Sequence, residues 1–179
     1  MGDTLFLQAN FSDSIKEVTT GKYYKLANFD FKTSVAFSKL SSTDLFLSQQ
    51  PGNTSSYTIV NKEGNVSNLS ESFGYLSFLY ISQTYRSNII FIPKKTGVFN
   101  IFFFSRYLKE SIRLDSLNLG SSSTGGNKIG YLRDVHYIIN NGNNNYELLK
   151  KNSKLSSVAN PSPENIREEQ QSTFTFVVK

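Results

Sequence analysis

Asn88-Ile-Ile-Phe-Ile-Pro-Lys-Lys-Thr-Gly-Val-Phe-Asn-Ile-Phe-Phe-Phe104 contains two of the three strongest β-strand patterns in this chain of 179 residues. Aromatic and β-branched side chains of this kind fit the pleated surface of a sheet. The compact turn at residues 93–97, with its proline and glycine, predicts a central hairpin between residues 88–92 and residues 98–104. Because both runs are almost continuously apolar, we expect burial on both faces, by a second sheet and the C-terminal segment or by a neighbouring subunit.

Working outward toward the N-terminus, further segments alternate between apolar and polar residues with the period of two that is typical of strands. These are residues 4–10, 22–31, 57–60 and 75–81, together with the pairs Val35/Phe37 and Leu45/Leu47. A reversal is predicted at residues 50–53 and a hairpin loop at residues 61–65, each of which contains a glycine. Turn signals recur about every 8 to 15 residues, which is typical of sandwiches and barrels. The sequence therefore predicts a mainly β protein, an antiparallel β-sandwich of jelly-roll or immunoglobulin-like type, whose body spans residues 1–105.

Working outward toward the C-terminus, the pattern changes after Ser105, and residues 106–179 are predicted to form an extension or arm. Residues 106–119 fit a helix and a strand equally well. The Gly- and Ser-rich residues 120–128 predict a loop, residues 129–140 a strand and residues 140–145 a turn or a disordered tip. Helices are predicted near residues 146–158 and 163–171. The second helix has Ser162 as a cap and Pro163 in its first turn. Residues 173–178 alternate as a terminal strand.

The composition excludes several kinds of chemistry. The chain has no Cys and only one His, so it offers no disulfide, no zinc-thiolate site and no thiol nucleophile. A Ser/His/Asp triad has a single possible centre, His136. Aromatic residues make up 14% of the chain, which predicts a core built on rings. We expect a protein that is not an enzyme and has no cofactor, no metal and no catalytic residue.

Two segments invite a catalytic interpretation. Gly120 and Gly125 have the separation of a phosphate-binding loop, but Lys128 does not follow the second glycine directly and precedes Ile rather than Ser or Thr. Asp134 and His136 would share one face of a strand, as an acid–base pair does, but no nucleophile accompanies them. A solvated loop and a structural histidine are the favoured interpretations.

The net charge of +5 favours contact with acidic surfaces. Basic residues flank the apolar stretch, and Lys150, Lys151 and Lys154 form a cluster on the predicted helix. Because RNA-binding signatures are missing, we expect docking on an acidic protein surface and no nucleic-acid partner. The N-terminus lacks the features of a signal peptide, and no apolar run approaches the roughly 20 residues of a membrane span. We expect a soluble protein that has no membrane partner.

Residues 92–101, Ile-Pro-Lys-Lys-Thr-Gly-Val-Phe-Asn-Ile, resemble the end of jelly-roll or immunoglobulin-like modules, in which such a turn introduces a late strand. The whole chain, rich in Asn, Ser, Lys, Ile and Phe, resembles the accessory structural proteins of tailed bacteriophage virions. That resemblance implies a capsid decoration or head–tail connector protein, located in the virion and assembled in the host cytoplasm. A chain of any other origin is expected in the cytoplasm.

These observations favour a non-enzymatic assembly protein that forms homo- or hetero-oligomers with other structural proteins. Partner binding is expected through the sandwich and the arm. The terminal strand either pairs with a neighbouring sheet or belongs to the sandwich of its own chain. The residues expected to bind the partner are Phe174, Phe176, Val178, Lys150, Lys151 and Lys154. The alternative is a β-sandwich that binds carbohydrate or another ligand on exposed Tyr rings.

Overall fold

The computed structural model describes residues 4–16, 21–51, 54–70, 73–104 and 137–179. Antiparallel strands dominate these residues, and short helices occur in the C-terminal region, so the predicted fold class is confirmed. The strands are β1 (Leu5–Ser12), β2 (Ser14–Lys16), β3 (Tyr23–Lys25), β4 (Lys32–Leu40), β5 (Tyr57–Glu63), β6 (Asn65–Ser70), β7 (Phe73–Ser77), β8 (Leu79–Ile81), β9 (Thr84–Pro93), β10 (Gly97–Phe104) and β11 (Thr173–Val178). The α-helices are α1 (Tyr146–Asn152), α2 (Ser156–Ala159) and α3 (Pro163–Gln171).

Two sheets account for most of these strands. In the first sheet, β9 pairs with β1 along one edge and with β5 and β8 along the other. The second sheet has the order β11-β10-β4-β7-β6. Strands β2 and β3 form a separate two-stranded sheet.

The two sheets pack face to face through a core of aromatic and branched side chains, which is the arrangement of a β-sandwich. From the first sheet, Ile89 and Phe91 are fully buried, and from the second sheet Phe37, Phe99 and Ile101 are fully buried. The rings of Phe37 and Phe91 stack with their centroids 5.6 Å apart. Ring packing of this kind confirms the expectation of an aromatic core, while the jelly-roll or immunoglobulin-like type stays a prediction.

The predicted central hairpin is wrong. Strands β9 and β10 lie in different sheets, and the turn between them carries the chain from one layer to the other. Phe91 and Phe99 face each other across the layers, with ring centroids 6.0 Å apart. Both edges of each strand are occupied by other strands, so a direct β9–β10 pair has no place. The apolar pattern that predicts two adjacent strands fits two facing strands equally well.

The predicted hairpin loop at residues 61–65 is wrong for the same reason. Strand β5 ends at Glu63 in the first sheet, and β6 begins at Asn65 in the second. Gly64 alone makes the crossing, at a φ of +70° that glycine adopts at no steric cost. A Cβ atom at this position would lie 2.5 Å from the carbonyl oxygen of Ser77.

Two further predicted strands are shorter or absent. Of residues 22–31 only Tyr23–Lys25 form a strand, because a loop follows in which Asn28 has a φ of 53°. The hydroxyl of Tyr85 fixes this loop, since it donates to the carbonyl of Leu26 and accepts from the amide of Phe29 at 2.6 Å. The pair Leu45/Leu47 does not form a strand either, because residues Leu47–Gln49 form a 3-10 helix.

The outer face of the second sheet is covered by the C-terminal helices. Leu149 of α1 is fully buried and packs with Leu40, Leu47 and Leu155, against Val98 and Phe102 of β10. Strand β10 is therefore buried on one face by the first sheet and on the other by the C-terminal segment. This confirms the expectation that a second sheet and the C-terminal segment bury the strand. Within the described residues, no neighbouring subunit is needed to bury it.

The predicted helix at residues 146–158 is interrupted. Ser153 has an extended backbone between α1 and α2, and its hydroxyl donates to the carbonyl of Leu45 at 3.1 Å. The second predicted helix is confirmed as α3, in which the hydroxyl of Ser162 accepts from the amide of Asn165 at 3.1 Å. The predicted strand at residues 129–140 is not formed at its C-terminal end, where Ile139–Gly142 is a 3-10 helix. Residues 105–136 lie outside the described residues.

Strand β11 confirms the predicted terminal strand, and its pairing shows which of the two expected places it takes. It pairs with β10 of its own chain from Gly97↔Val178 to Phe102↔Thr173. The terminal strand is thus part of the sandwich and is not donated to a neighbouring sheet. Residues 137–179 of the expected arm pack on the body, because their own strand completes the second sheet.

Candidate functional site

A shallow groove lies between the N-terminal end of one edge strand and the C-terminal end of another. Strand β1 is the edge of the first sheet and β11 is the edge of the second. The groove has a volume of about 290 Å³ and is lined by Thr4, Leu5, Pro93, Phe176, Val177 and Val178. None of these side chains is ionisable, so the groove suits an apolar or neutral occupant.

Hydrogen bonds at both ends of β9 show which backbone groups of β1 bond to β9 and which face outward. The amide of Asp13 donates to the carbonyl of Gln83 at 2.9 Å, in register with the β1–β9 pairing. The amide of Lys94 donates to Ser56 at 2.7 Å, in register with the β5–β9 pairing. Hydrogen-bonded pairs alternate along an antiparallel ladder. The odd-numbered residues of β1 therefore bond to β9, and the even-numbered residues direct their N–H and C=O groups away from the sheet.

The outward groups of β1 belong to Phe6, Gln8, Asn10 and Ser12. The side chains of these four residues also lie on the outer face of the sheet and are exposed. Phe6 is 59% exposed, which is a large apolar surface for a ring at the edge of a sheet. Within the described part of the chain, no hydrogen bond satisfies this row of backbone groups.

The other sheet edges carry features that discourage pairing with another chain. Strand β5 has two charged residues, Lys62 and Glu63, and a register shift next to them. Strand β6 has a register shift between Ser67 and Ser70, and β8 has only three residues. Strand β1 has eight residues in unbroken register, without a charge, a glycine or a proline.

The outer edge of β11 is covered by two asparagines. The carbonyl of Asn144 accepts from the amide of Thr175 at 3.1 Å, and Nδ2 of Asn145 donates to the carbonyl of Thr175 at 2.8 Å. Asn144 is only 3% exposed, and its Nδ2 donates to the carbonyl of Gln170. The predicted turn at residues 140–145 is thus a fixed cap on the sheet edge and not a disordered tip. Among the residues that the structure describes, no comparable cap covers β1 on the other side of the groove.

The structure places the predicted partner-binding residues of the terminal strand toward the first sheet. Phe176 packs on Phe91 and Phe99 with ring centroids 5.8 Å from each, and it stacks with Phe174 at 5.9 Å. Val178 is only 4% exposed. Partner binding by Phe174, Phe176 and Val178 stays a prediction. Two of them, Phe176 and Val178, line the groove.

The predicted lysine cluster is exposed but engaged within the chain. Nζ of Lys150 lies 2.6 Å from the carboxylate of Glu147 and 5.5 Å from the ring centroid of Tyr146. Nζ of Lys154 lies 4.9 Å from the ring centroid of Phe46. Lys151 is exposed on α1. Since α1 packs on the helix-covered face of the second sheet, these lysines do not join Phe174, Phe176 and Val178 in one site.

The sequence interpretation missed the edge character of β1. Residues 4–10 show the alternation of a strand, but alternation does not tell an edge from a central strand. The available signal was the absence of charge from Leu5 to Ser12 in a chain in which 18% of residues are charged. Pro93 and Val177 were missed as groove residues because they lie in different sheets, and only the packing of the two sheets brings them together.

The glycine-rich residues 120–128, Asp134 and His136, which the sequence suggests as candidate sites, lie outside the described residues. The described ranges contain no group of three or more His, Asp or Glu side chains placed to hold a metal ion. No helix in those ranges combines the length and the apolar character that a membrane crossing needs.

Comparison with known proteins gives no relative. No protein-family model matches the chain, and neither a curated protein nor a solved structure matches it.

Proposed function

We propose that this chain is a non-enzymatic structural protein that assembles with neighbouring protein subunits through the outer edge of β1 and the adjoining groove. The setting that its sequence resembles is the virion of a tailed bacteriophage, as a capsid decoration or head–tail connector protein. The observation that carries the proposal is the unprotected edge of β1. In the described part of the chain, eight uncharged residues in unbroken register present unpaired backbone groups, and a groove without ionisable side chains adjoins their N-terminal end.

The physical basis is strand addition. An extended segment that lies against β1 would bond to the N–H and C=O groups of Phe6, Gln8 and Asn10, which gives direction and register. Apolar side chains of the partner would enter the groove beside Leu5 and Phe176. An edge of this kind is normally blocked in proteins that function as monomers, because it promotes aggregation. Its retention here, while Asn144 and Asn145 cap the edge of β11 on the other side of the groove, supports a role in assembly.

Lysine cross-linking of the native assembly, followed by mass spectrometry, tests the proposal. Lys94 directly follows the groove residue Pro93, and Lys179 directly follows Val178. We expect cross-links to other protein chains to be concentrated on Lys94 and Lys179. Lys151 on α1 is the matched control, because it is exposed but lies on the helix-covered side of the second sheet.

Cross-links to other chains that come only from Lys150 and Lys151 would contradict the proposed site. They would favour the lysine cluster as the contact surface, in line with docking on an acidic partner. If the native chain is recovered free, with no cross-link to another protein from any lysine, the assembly function itself is wrong.

A further inference from the structure

The edge of β1 has the properties of a surface that pairs with a copy of itself. This inference rests on the proposed function and names the partner at the same site. We propose that two copies of the chain join through their β1 strands, antiparallel and around a two-fold axis, so that the first sheets of both copies become one continuous sheet.

Charge favours a second copy as the partner. A contact around a two-fold axis places each patch against the same patch, so any net charge in the patch repels itself. The chain carries a net charge of +5, yet residues 5–12, Leu-Phe-Leu-Gln-Ala-Asn-Phe-Ser, carry none. The exposed side chains of Gln8 and Asn10 are amides, which both donate and accept hydrogen bonds and are therefore complementary to themselves.

The direction of the side chains limits the register. Residues that face each other across an antiparallel pair lie on the same face of the sheet. Leu5 and Leu7 face the core, whereas Phe6 and Gln8 face outward. Even-numbered residues must therefore oppose even-numbered residues. This condition is met when the two-fold axis passes through Gln8 or through Ala9, and it is not met when the axis passes between them.

The direction of the backbone groups agrees with the same registers. Phe6, Gln8, Asn10 and Ser12 hold the outward N–H and C=O groups, so pairs between even-numbered residues are the hydrogen-bonded pairs. With the axis at Gln8, Gln8 pairs with its copy and Phe6 pairs with Asn10. With the axis at Ala9, Gln8 pairs with Asn10 and Phe6 pairs with Ser12. In both registers, the outward N–H and C=O groups of at least three of these four residues form hydrogen bonds to the second copy. Both registers also keep the leucines of β1 on the core side of the sheet.

Single cysteines test the pairing directly, because the chain has no cysteine of its own. Hydrogen-bonded residues of an antiparallel pair have Cα atoms about 5.5 Å apart, within the range of a disulfide. With the axis at Gln8, we expect Gln8→Cys alone to form a covalent dimer under mild oxidation. With the axis at Ala9, we expect the dimer from a mixture of Gln8→Cys and Asn10→Cys. Lys151→Cys is the exposed control and should form no covalent dimer under the same oxidation.

Sedimentation equilibrium of the full chain supplies the second measurement. We expect a dimer of the wild type, and we expect Gln8→Pro to raise its dissociation constant by about tenfold or more. The amide of Gln8 points away from β9, so proline at this edge position leaves the fold intact. Gln8→Lys is the second variant if proline disturbs folding, since it places two like charges side by side at the axis.

The inference is overturned if the wild type sediments as a monomer at all concentrations and neither Gln8→Cys nor its mixture with Asn10→Cys cross-links faster than Lys151→Cys. That result leaves the proposed function standing when Lys94 and Lys179 still cross-link to a different protein in the native assembly. The two proposals therefore fail on separate measurements.

Discussion

At the scale of single residues, Asn145 has two structural roles at the capped edge of the second sheet: its backbone forms the turn and its side chain bonds to β11. Its backbone adopts a φ of 58°, and its Nδ2 donates to the carbonyl of Thr175. Asparagine tolerates the left-handed conformation better than other residues that have a side chain, and its short amide reaches the neighbouring strand. A loop that looks disordered from its composition is therefore fixed by its own side chains.

Two substitutions at Asn145 separate these roles. Asn145→Gly keeps the backbone conformation but loses the hydrogen bond, so we expect a loss of about 1 kcal/mol in the free energy of unfolding. Asn145→Ala loses the bond and also strains the backbone, so we expect a further loss of about 1 kcal/mol. Urea denaturation of both variants provides the measurement. Equal stability of the glycine variant and the wild type would show that the cap contributes nothing.

Tyr57 is a second residue whose side chain affects the stability of the fold. Its ring is 4% exposed within the core, and in the described structure its hydroxyl has no hydrogen-bond partner. Burial raises the pKa of Tyr57 to about 12 from the usual 10.0. A buried hydroxyl without a partner opposes folding, because its hydration is lost without compensation.

We therefore expect Tyr57→Phe to be as stable as the wild type at pH 7, or more stable by up to about 1 kcal/mol. The pKa of Tyr57 is higher in the folded chain than in the unfolded chain, so the unfolded chain loses its proton first. The stability associated with Tyr57 is complete below pH 10 and falls as the pH rises toward 12, by about 2 to 3 kcal/mol. Denaturation curves between pH 8 and pH 12 should show a smaller alkaline loss in the variant. An identical pH dependence would contradict this account of Tyr57.

At the scale of elements, β11 decides whether the C-terminus belongs to the fold or to a partner. The strand pairs with β10, and Phe176 and Val178 contribute to the core between the sheets. Removal of residues 172–179 should cost on the order of 5 kcal/mol in buried apolar surface alone. Since small domains have a total stability of about 5 to 15 kcal/mol, we expect the shortened chain to be largely unfolded.

Circular dichroism and urea denaturation of the chain without residues 172–179 measure this effect. The control removes only Lys179, which is exposed and lies outside β11. A shortened chain that folds with the stability of the control would mean that β11 contributes little to its own sandwich. The strand would then be available to a neighbour after all.

The helices and strands also show which parts of the fold could be predicted from the sequence. Helix α3 was predictable because Ser162 and Pro163 are local signals whose effect does not depend on the rest of the chain. The pairing of β9 was not predictable, because its partners β1 and β5 are remote in sequence and an apolar strand fits several partners equally well. The same limit applies to the site. The alternation of residues 4–10 predicts a strand, but its edge position follows only from the order of the sheet.

At the scale of the whole molecule, the described structure is an asymmetric sandwich. One edge is closed by Asn144 and Asn145, and charge, register shifts or short length protect β5, β6 and β8. Only β1 in the described sheets has none of these protections. The C-terminal segment contributes to stability because it closes the second sheet, and we propose that the N-terminal strand makes the contact with other chains. The sequence-based expectation placed this contact in residues 106–179 instead.

Amide hydrogen exchange along β1, measured on the dilute chain and on its assembled form, shows whether the outward backbone groups of this strand form the contact. In the dilute chain, we expect rapid exchange at Phe6, Gln8 and Asn10, whose amides point outward, and slow exchange at Leu7 and Ala9, whose amides bond to β9. In the assembled form, we expect slow exchange at all five residues. Rapid exchange at Phe6, Gln8 and Asn10 after assembly, or slow exchange there in the dilute chain, would contradict the account.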